Sequence, residues 1–355
     1  MNYIGIDLHR RFSQIDVYDD VTDTEITQRL TNDQEAMRKF FQLFPPESRV
    51  TVEATGNWYW LVDLLQQLEM NVALANPLQT KVIAHARVKN DRVDARMLNH
   101  LRRTDLLPTC WIPTPADRNQ RDSLRVRLKL IHYRTQLRNA IRAILAKFNI
   151  NLTPYDIWRG TGRDALLAIT RPQDLNSPEA QRLPPIYRLA INQYLWHADY
   201  LSDQIQTWEK TVDQQTVLSD DAKRLMTFPG IGKLSALTIL YETGPISRFP
   251  DAKRYAAYVG LVPKTKSSAD KQHHGHLCKQ ANMYLKRIFV EIALSASRTS
   301  RTDRRLIHFY HRIMKHKGKG IARIALARKI TGIVYHMLAD KIDYQTAMTK
   351  NNMAG

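Results

Sequence analysis

Apolar and polar positions along the first hundred residues switch between two periods. Residues 3–8 form a short apolar run broken by Asp7, and residues 12–18 alternate apolar with polar as a half-exposed strand does. Asp19-Asp20 then predicts a turn. Residues 32–44 place Met37, Phe40, Phe41 and Phe44 on one helix face and stop at Pro45-Pro46. Residues 49–54 read as a β-branched strand followed by Gly56, 58–70 as a helix, and 72–75 as a strand closed by Asn76-Pro77. Strands alternating with helices predict an α/β domain built on a mixed or mostly parallel sheet.

Farther along, the period stays helical. Leu137, Ile141, Ile144 and Phe148 line one helix face, and Tyr194, Leu201, Ile205, Trp208 and Val212 line another. Two long amphipathic helices flanking a proline-containing stretch at 151–186 predict an antiparallel coiled-coil hairpin; two helices of one globular bundle fit the same pattern. From about residue 222 the chain reads as compact and α-rich.

Composition narrows the class. The 355 residues are 43% hydrophobic and 25% charged, as in folded proteins. No apolar run approaches the ~18 residues of a membrane span. The first residues lack a basic segment followed by an apolar one, so no secretory signal is expected and the cytoplasm is the expected compartment. Cys110 and Cys278 are too few for a disulfide framework. With 53 Lys and Arg against 34 Asp and Glu, the net charge is +19, which points to nucleic acid. The excess is uneven: residues 1–105 hold 13 basic and 15 acidic side chains, whereas 106–355 hold 40 and 19. Residues 118–147 carry nine Lys/Arg and one acid, Asp122; residues 298–329 carry eleven and one, Asp303.

The near-neutral head therefore invites a search for metal ligands. Asp7 and Glu53 each end an expected strand, and strand ends can be neighbours in a sheet. Asp91 and Asp94, three apart, share a helix face. Hard divalent cations need several oxygen ligands, and phosphoryl transfer commonly uses two such ions about 4 Å apart. Taken singly, each acid also fits a solvated turn or helix end. His9 and Asn57, beside Asp7 and Glu53, read as surface or capping residues with a supporting role at the acids as the alternative.

Phe228-Pro229-Gly230-Ile231-Gly232-Lys233-Leu234-Ser235-Ala236 matches a helix-hairpin-helix, whose glycines bring backbone N–H groups to a phosphate. A proline-glycine linker used only for packing is the alternative. Lys264-Thr265-Lys266-Ser267-Ser268 places serines in a basic loop, where neighbouring cations could activate a nucleophile. His273, His274, His276 and Cys278 match no standard zinc spacing.

The order of these parts resembles one family. G-I-D at the start, V-E-A-T-G-N-W-Y, A-N-P, K-N-D-R-V-D-A-R-M-L, F-P-G-I-G, Y-A-A-Y-V-G-L-V-P and K-Q-A-N-x-x-L-K-R are similar to the transposases of bacterial insertion-sequence family 110, DEDD-type recombinases related to pilin-gene invertases. The resemblance runs from about residue 3 to 340. It implies an RNase-H/RuvC-like metal-binding domain at 1–110 and coiled-coil dimerisation and nucleic-acid-binding helices at 111–221. It also implies an α-rich transposase domain at 222–345 and a tail at 346–355. Asp7, Glu53, Asp91 and Asp94 fall on the family's four acids, implying one or two Mg²⁺ ions.

The family's nucleophilic serine falls on Ser268, with Ser267 adjacent. Where relatives carry serine before the lysine of an S-K-x-G-N stretch, this chain has Cys278-Lys279-Gln280-Ala281-Asn282. The resemblance further implies an RNA-guided recombinase that cuts and rejoins donor and target DNA through a 5′-phosphoserine bond. Its guide is a structured bridge RNA encoded by the element. In the family the metal site of one subunit meets the serine of another, so self-association as a dimer or tetramer is implied. Nucleic-acid contacts are expected at Arg125, Arg138, Gly230, Gly232, Lys233, Lys264, Lys266, Lys271, Lys279 and Asn282. The expected site of action is the bacterial nucleoid. Two rivals remain: a RuvC-like two-metal nuclease or resolvase that uses water, and a nucleic-acid-binding protein with an inactive head.

Overall fold

The computed structural model describes residues 1–83, 91–152, 156–171, 177–268, 271–277 and 280–350. Within 264–268 and 271–274, and at Arg92, Gln215, His276 and Lys350, the description is of the backbone. The chain forms two compact units, Met1–Thr114 and Pro115–Gly355.

The first unit is a six-stranded sheet with helices on both faces. Strands β1 (Asn2–Leu8), β2 (Phe12–Asp19) and β3 (Thr24–Thr31) form an antiparallel meander. Helix α1 (Gln34–Phe41) then leads to β4 (Arg49–Glu53), which pairs parallel with β1. Helix α2 (Tyr59–Gln67) leads to β5 (Asn71–Ala75), parallel to β4. After α3 (Pro77–Ile83) and α4 (Asp91–Arg103), the short β6 (Thr109–Cys110) closes the edge antiparallel. The strand order is β3-β2-β1-β4-β5-β6, a mixed sheet as the alternating pattern predicts.

Alternation along β1 assigns the faces. Ile4, Ile6 and Leu8 belong to a buried cluster with Met37 and Phe41 of α1 and Leu61 and Leu65 of α2. Tyr3, Gly5 and Asp7 therefore face the other way, toward α4. Three elements lie outside the sequence expectation: β3, β6 and α3. β3 is a mostly exposed edge strand, so no buried face imposes apolar alternation on it. β6 has only two residues, and α3 is a short helix after Asn76-Pro77.

In the second unit, α5 (Pro115–Lys147) and α8 (Pro185–Gln215) run antiparallel. Trp208 Nε1 donates to Ser123 O (2.8 Å), Arg127 Nε to Glu209 Oε1 (2.7 Å), Arg134 Nη1 to Ser202 Oγ (3.2 Å) and Lys147 Nζ to Tyr187 Oη (2.6 Å). From Arg127 to Lys147 the partners on α8 run back from Glu209 to Tyr187, which defines the hairpin. Helices α6 (Gly160–Ala168) and α7 (Pro178–Arg182) cap its end, where Ile141, Leu166, Ile169 and Ile191 pack together.

The bundle follows: α9 (Asp220–Met226), α10 (Lys233–Thr243), α11 (Ala252–Val259), the hairpin of β7 (Pro263–Ser268) and β8 (Lys271–Leu277), α12 (Met283–Ala296), α13 (Arg304–Ala339) and α14 (Tyr344–Lys350). Its core centres on Phe228, Tyr255, Phe289, Leu326 and Ile330, and includes Leu128 of α5. Helix α13 breaks at Gly318, which adopts φ 81° and ψ 165°. The Lys329 ammonium lies 4.8 Å from the Phe309 ring, although the two residues would be about 30 Å apart along a continuous helix. The break thus folds α13 into two antiparallel arms.

Candidate active site

A glycine brings the acids together. A Cβ at Gly5 would lie 2.1 Å from Ala95 O and 2.8 Å from Asn99 N. Only a residue without a side chain lets the backbone of α4 lie directly on β1. Asn99 fastens the contact, its Nδ2 donating to Tyr3 O at 3.1 Å and to Asp16 Oδ2 at 2.8 Å. Asp16, fully buried on β2 opposite Gly5, also accepts from Thr27 Oγ1 at 3.1 Å.

Two residues along a strand advance about 6.6 Å, and four along a helix about 6.0 Å. The step from Gly5 to Asp7 therefore matches the step back from Ala95 to Asp91, and the two carboxylates meet. His9 Nε2 lies 3.1 Å from Asp7 Oδ2 and 3.2 Å from Asp91 Oδ2. That nitrogen is buried and aligned for a hydrogen bond with neither oxygen. Burial pushes the Asp7 carboxyl above its usual range; His9 pulls it down, while Asp94 and Asp91 push it farther up. Glu53 follows Val52, which pairs with Ile6, so the parallel register sets Glu53 beside Asp7 on the α4 face.

Ligand atoms of Asp7, His9 and Asp91 lie within 4.8 Å of one another. Hard carboxylate oxygens crowded together, with an imidazole nitrogen poised between them, fit a divalent cation. The His9 loop is itself anchored: its carbonyl accepts from Asn57 Nδ2 at 2.9 Å and Asn32 Nδ2 at 2.7 Å. Thr55 Oγ1 in turn donates to Asn57 Oδ1 at 3.0 Å. His9 and Asn57 are therefore parts of the centre, where the sequence favoured surface or capping roles. Their signal was position alone, directly after two acid-ended strands.

Comparison with known proteins bears on this centre. A sequence model described as "Transposase", of the DEDD type of IS110 elements, matches residues 4–150. The model of the "Transposase IS116/IS110/IS902 family" matches residues 222–311. The chain belongs to the IS110 family of transposases. It is 26% identical to a probable family 20 transposase of Pseudomonas aeruginosa, over 97% of this chain and 99% of the relative. It is 25% identical to the transposase for insertion sequence element IS1328 of Yersinia enterocolitica (94% and 95% covered). It is likewise 25% identical to that for IS1111A of Coxiella burnetii (83% and 79%).

In this transposase the residues expected at nucleic acid separate into groups. Arg125 turns inward, its Nε and Nη2 bonding Glu242 Oε1 and Oε2 at 2.6 and 2.9 Å. Arg121 Nη2 (3.3 Å) and Asn282 Nδ2 (2.8 Å) bind the same carboxylate, which is 1% exposed. Burial would push the Glu242 carboxyl up, but Arg125 and Arg121 outweigh it and hold the group below its usual range. Lys233 Nζ donates to Asp213 O at 3.0 Å and pairs with the Asp213 carboxylate. Arg125, Asn282 and Lys233 thus each have a partner within the chain. Nothing in their local sequence distinguishes them, because Glu242 and Asp213 are distant along the chain.

Gly230 has φ 99° and would set a Cβ 3.1 Å from Ser295 Cβ, so it serves the close packing of the 227–232 loop on α12. Gly232 caps α10 with open space around it. Arg138 and Arg142 lie 5.0 and 5.2 Å from the Trp158 ring. Burial, then the nearby Arg134, lowers the Arg138 guanidinium from its usual value. For Lys264, Lys266, Ser267, Ser268 and Lys271 the backbone alone is described; Ser268 pairs with Lys271 at the end of the β7–β8 ladder. Lys279 and Cys278 lie outside the described residues. Among the described residues, no helix is long and apolar enough to cross a membrane.

Beside the acids lies a basic cleft that has no signature in the local sequence. Arg10, Arg11, Arg29, Phe12 and Thr31 enclose about 770 Å³ next to His9. The Arg29 guanidinium stacks 3.6 Å from the Phe12 ring.

Proposed function

We propose that this transposase is a DNA recombinase whose head is RNase-H/RuvC-like, with Asp7, Glu53, Asp91 and Asp94 holding one or two Mg²⁺ ions. The observation that carries the reading is the convergence of Asp7, His9 and Asp91 at the ends of β1 and α4. The strand order, an antiparallel β1–β3 meander extended by parallel β4 and β5, supports the same reading. Bound Mg²⁺ would neutralise the scissile phosphate and stabilise charge developing on its oxygens. Arg10, Arg11 and Arg29 would hold the flanking backbone.

The nucleophile is the hydroxyl of Ser268, with Ser267 as second choice. Its oxygen bonds to phosphorus, the bond from phosphorus to the 3′ oxygen breaks, and that oxygen takes up a proton. The products are a 5′-phosphoserine linkage and a free 3′-OH, and the reverse reaction on a new partner rejoins the strand. An element-encoded bridge RNA supplies sequence recognition through base pairing, while the protein reads backbone and shape. The arginines around Trp158, whose like charges crowd one another, support a polyanion on the helical hairpin.

Self-association through α8 completes the reading. Ile186, Leu189, Trp196 and Tyr200 are 66%, 56%, 64% and 54% exposed. Four large apolar side chains on one helix form a patch fit for a second copy.

The test is trapping of a covalent protein–DNA adduct in Mg²⁺. It is expected in the parent and in Ser267→Ala, and lost in Ser268→Ala. Cleavage at the parental rate with both serines replaced, and no adduct at any time, would favour the water-using nuclease instead. Sequencing of RNA that co-purifies with the protein tests the guide.

A further inference from the structure

The two arms of α13 enclose an open groove of about 920 Å³ outside the metal centre. This falls in the ~300–1,000 Å³ range of small-molecule sites and is roomy enough for a nucleotide. Its walls are apolar: Leu306 and Phe309 come from the first arm, Ile321 and Ile324 from the second. Ile321 is 56% exposed. Around these stand Lys317, Arg328 and Lys329, and none of the described residues lining the groove is acidic. Arg305 also lines it but is paired with Asp303 at 2.8 Å.

Gly332 adds an independent sign. It lies within the second arm and lines the groove, where glycine weakens a helix relative to alanine. A Cβ there would meet nothing within 4 Å. Packing therefore does not call for glycine at this position, and a side chain would project into space the groove leaves open.

We propose that this groove holds an unpaired stretch of a DNA strand. A base would lie against Phe309 and Ile324, with its phosphates on Lys317, Arg328 and Lys329. Aromatic and apolar faces for bases, combined with cations that follow the backbone, are what single-strand sites use. Pro263 and Leu277, the base of the β7–β8 hairpin, line the same groove. Ser268 lies five residues beyond Pro263, about 17 Å along an extended strand. The held nucleotides would therefore sit within about 17 Å of the serine bond. That last placement rests on the recombinase reading; the binding itself does not.

The full-length protein is titrated with a fluorescein-labelled twelve-residue oligo-dT, the matching oligo-U, and a duplex of equal length. Gly332→Leu fills the groove and is expected to weaken oligo-dT binding at least tenfold. Its duplex affinity should be unchanged and its melting temperature unchanged or higher. Lys317→Glu with Arg328→Glu, both exposed, is expected to weaken oligo-dT binding at least tenfold without filling anything. Parental oligo-dT affinity in both variants overturns the proposal, as does equal loss for oligo-dT and duplex. Tighter binding of oligo-U than oligo-dT overturns the assignment to DNA. Adduct trapping runs in parallel. A parent that forms no adduct yet loses oligo-dT on groove filling contradicts the recombinase reading alone.

Discussion

Gly5 and Ala95 meet backbone to backbone: a methyl group on the glycine would overlap the alanine carbonyl oxygen, at 2.1 Å. Gly5→Ala must push α4 off β1, and Asp91 and Asp94 move with the helix. We expect a loss of about 3 kcal/mol, the upper end of overpacking costs, because the atom struck is backbone. Urea unfolding checks the stability, and the Mg²⁺-dependent rise in melting temperature should disappear with it. A parental Mg²⁺ response in Gly5→Ala would separate α4 packing from the metal centre.

Burial of the Asp7 carboxyl costs stability at neutral pH. It holds the group above the ordinary range, so the folded chain binds a proton more tightly than the unfolded one. Stability therefore falls as pH rises through the window just above 3.8. At neutral pH, Asp7→Asn is expected to raise the metal-free melting temperature and to abolish its increase with Mg²⁺. Calorimetry with and without Mg²⁺ reads both effects, and a retained increase would put the cation elsewhere.

Glu242 behaves in the opposite sense. Its folded value is held below the ordinary 4.5, so its contribution is complete above that pH and is lost as pH falls through the depressed folded value. Glu242→Gln leaves Arg125 without its carboxylate and should cost about 3–5 kcal/mol at pH 7. The difference from the parent should shrink below pH 4.5, as acid denaturation curves of the two proteins would show.

The exposed apolar stripe on α8 has a direct readout. Trp196→Glu, on a side chain 64% exposed, should leave the fold intact and shift sedimentation toward the monomer. An unchanged sedimentation profile would place self-association on another surface.

Arg10→Ala with Arg11→Ala should weaken DNA binding evenly across sequences. Each lost phosphate contact lowers the log–log salt slope by about 1, so the pair should lower it by about 2. A slope equal to the parent's would remove both arginines from the interface.

Much of the head was legible in the sequence because strand and helix periods are local. Asp7 at a strand end and Asp91 on a helix face are both readable from the pattern, and the structure brings these two together; the sheet order sets Glu53 at the register position beside Asp7. What escaped was long-range. The need for glycine at position 5 is created by Ala95, ninety residues away, and the burial of Arg125 by Glu242. Charge counts treat an arginine in an internal pair like one facing solvent, so the Arg125–Glu242 pair is invisible to them. His9 lacks any pattern of its own; only the meeting of β1 with α4 gives it two carboxylates.

The carbonyl of His9 is where three separate stretches of chain converge. Asn32 enters after the edge strand β3, and Asn57 after β4, with sequence separations of 23 and 48 residues. Neither bond can form until its own strand has joined the sheet, β3 on β2 and β4 on β1, and the more distant closure comes later in folding. A chain that has laid down the β1–β3 meander but has not yet added β4 would hold the His9 loop by Asn32 alone, with Glu53 still out of register. Competence for metal would then arrive with β4, making the centre a checkpoint on the parallel half of the sheet.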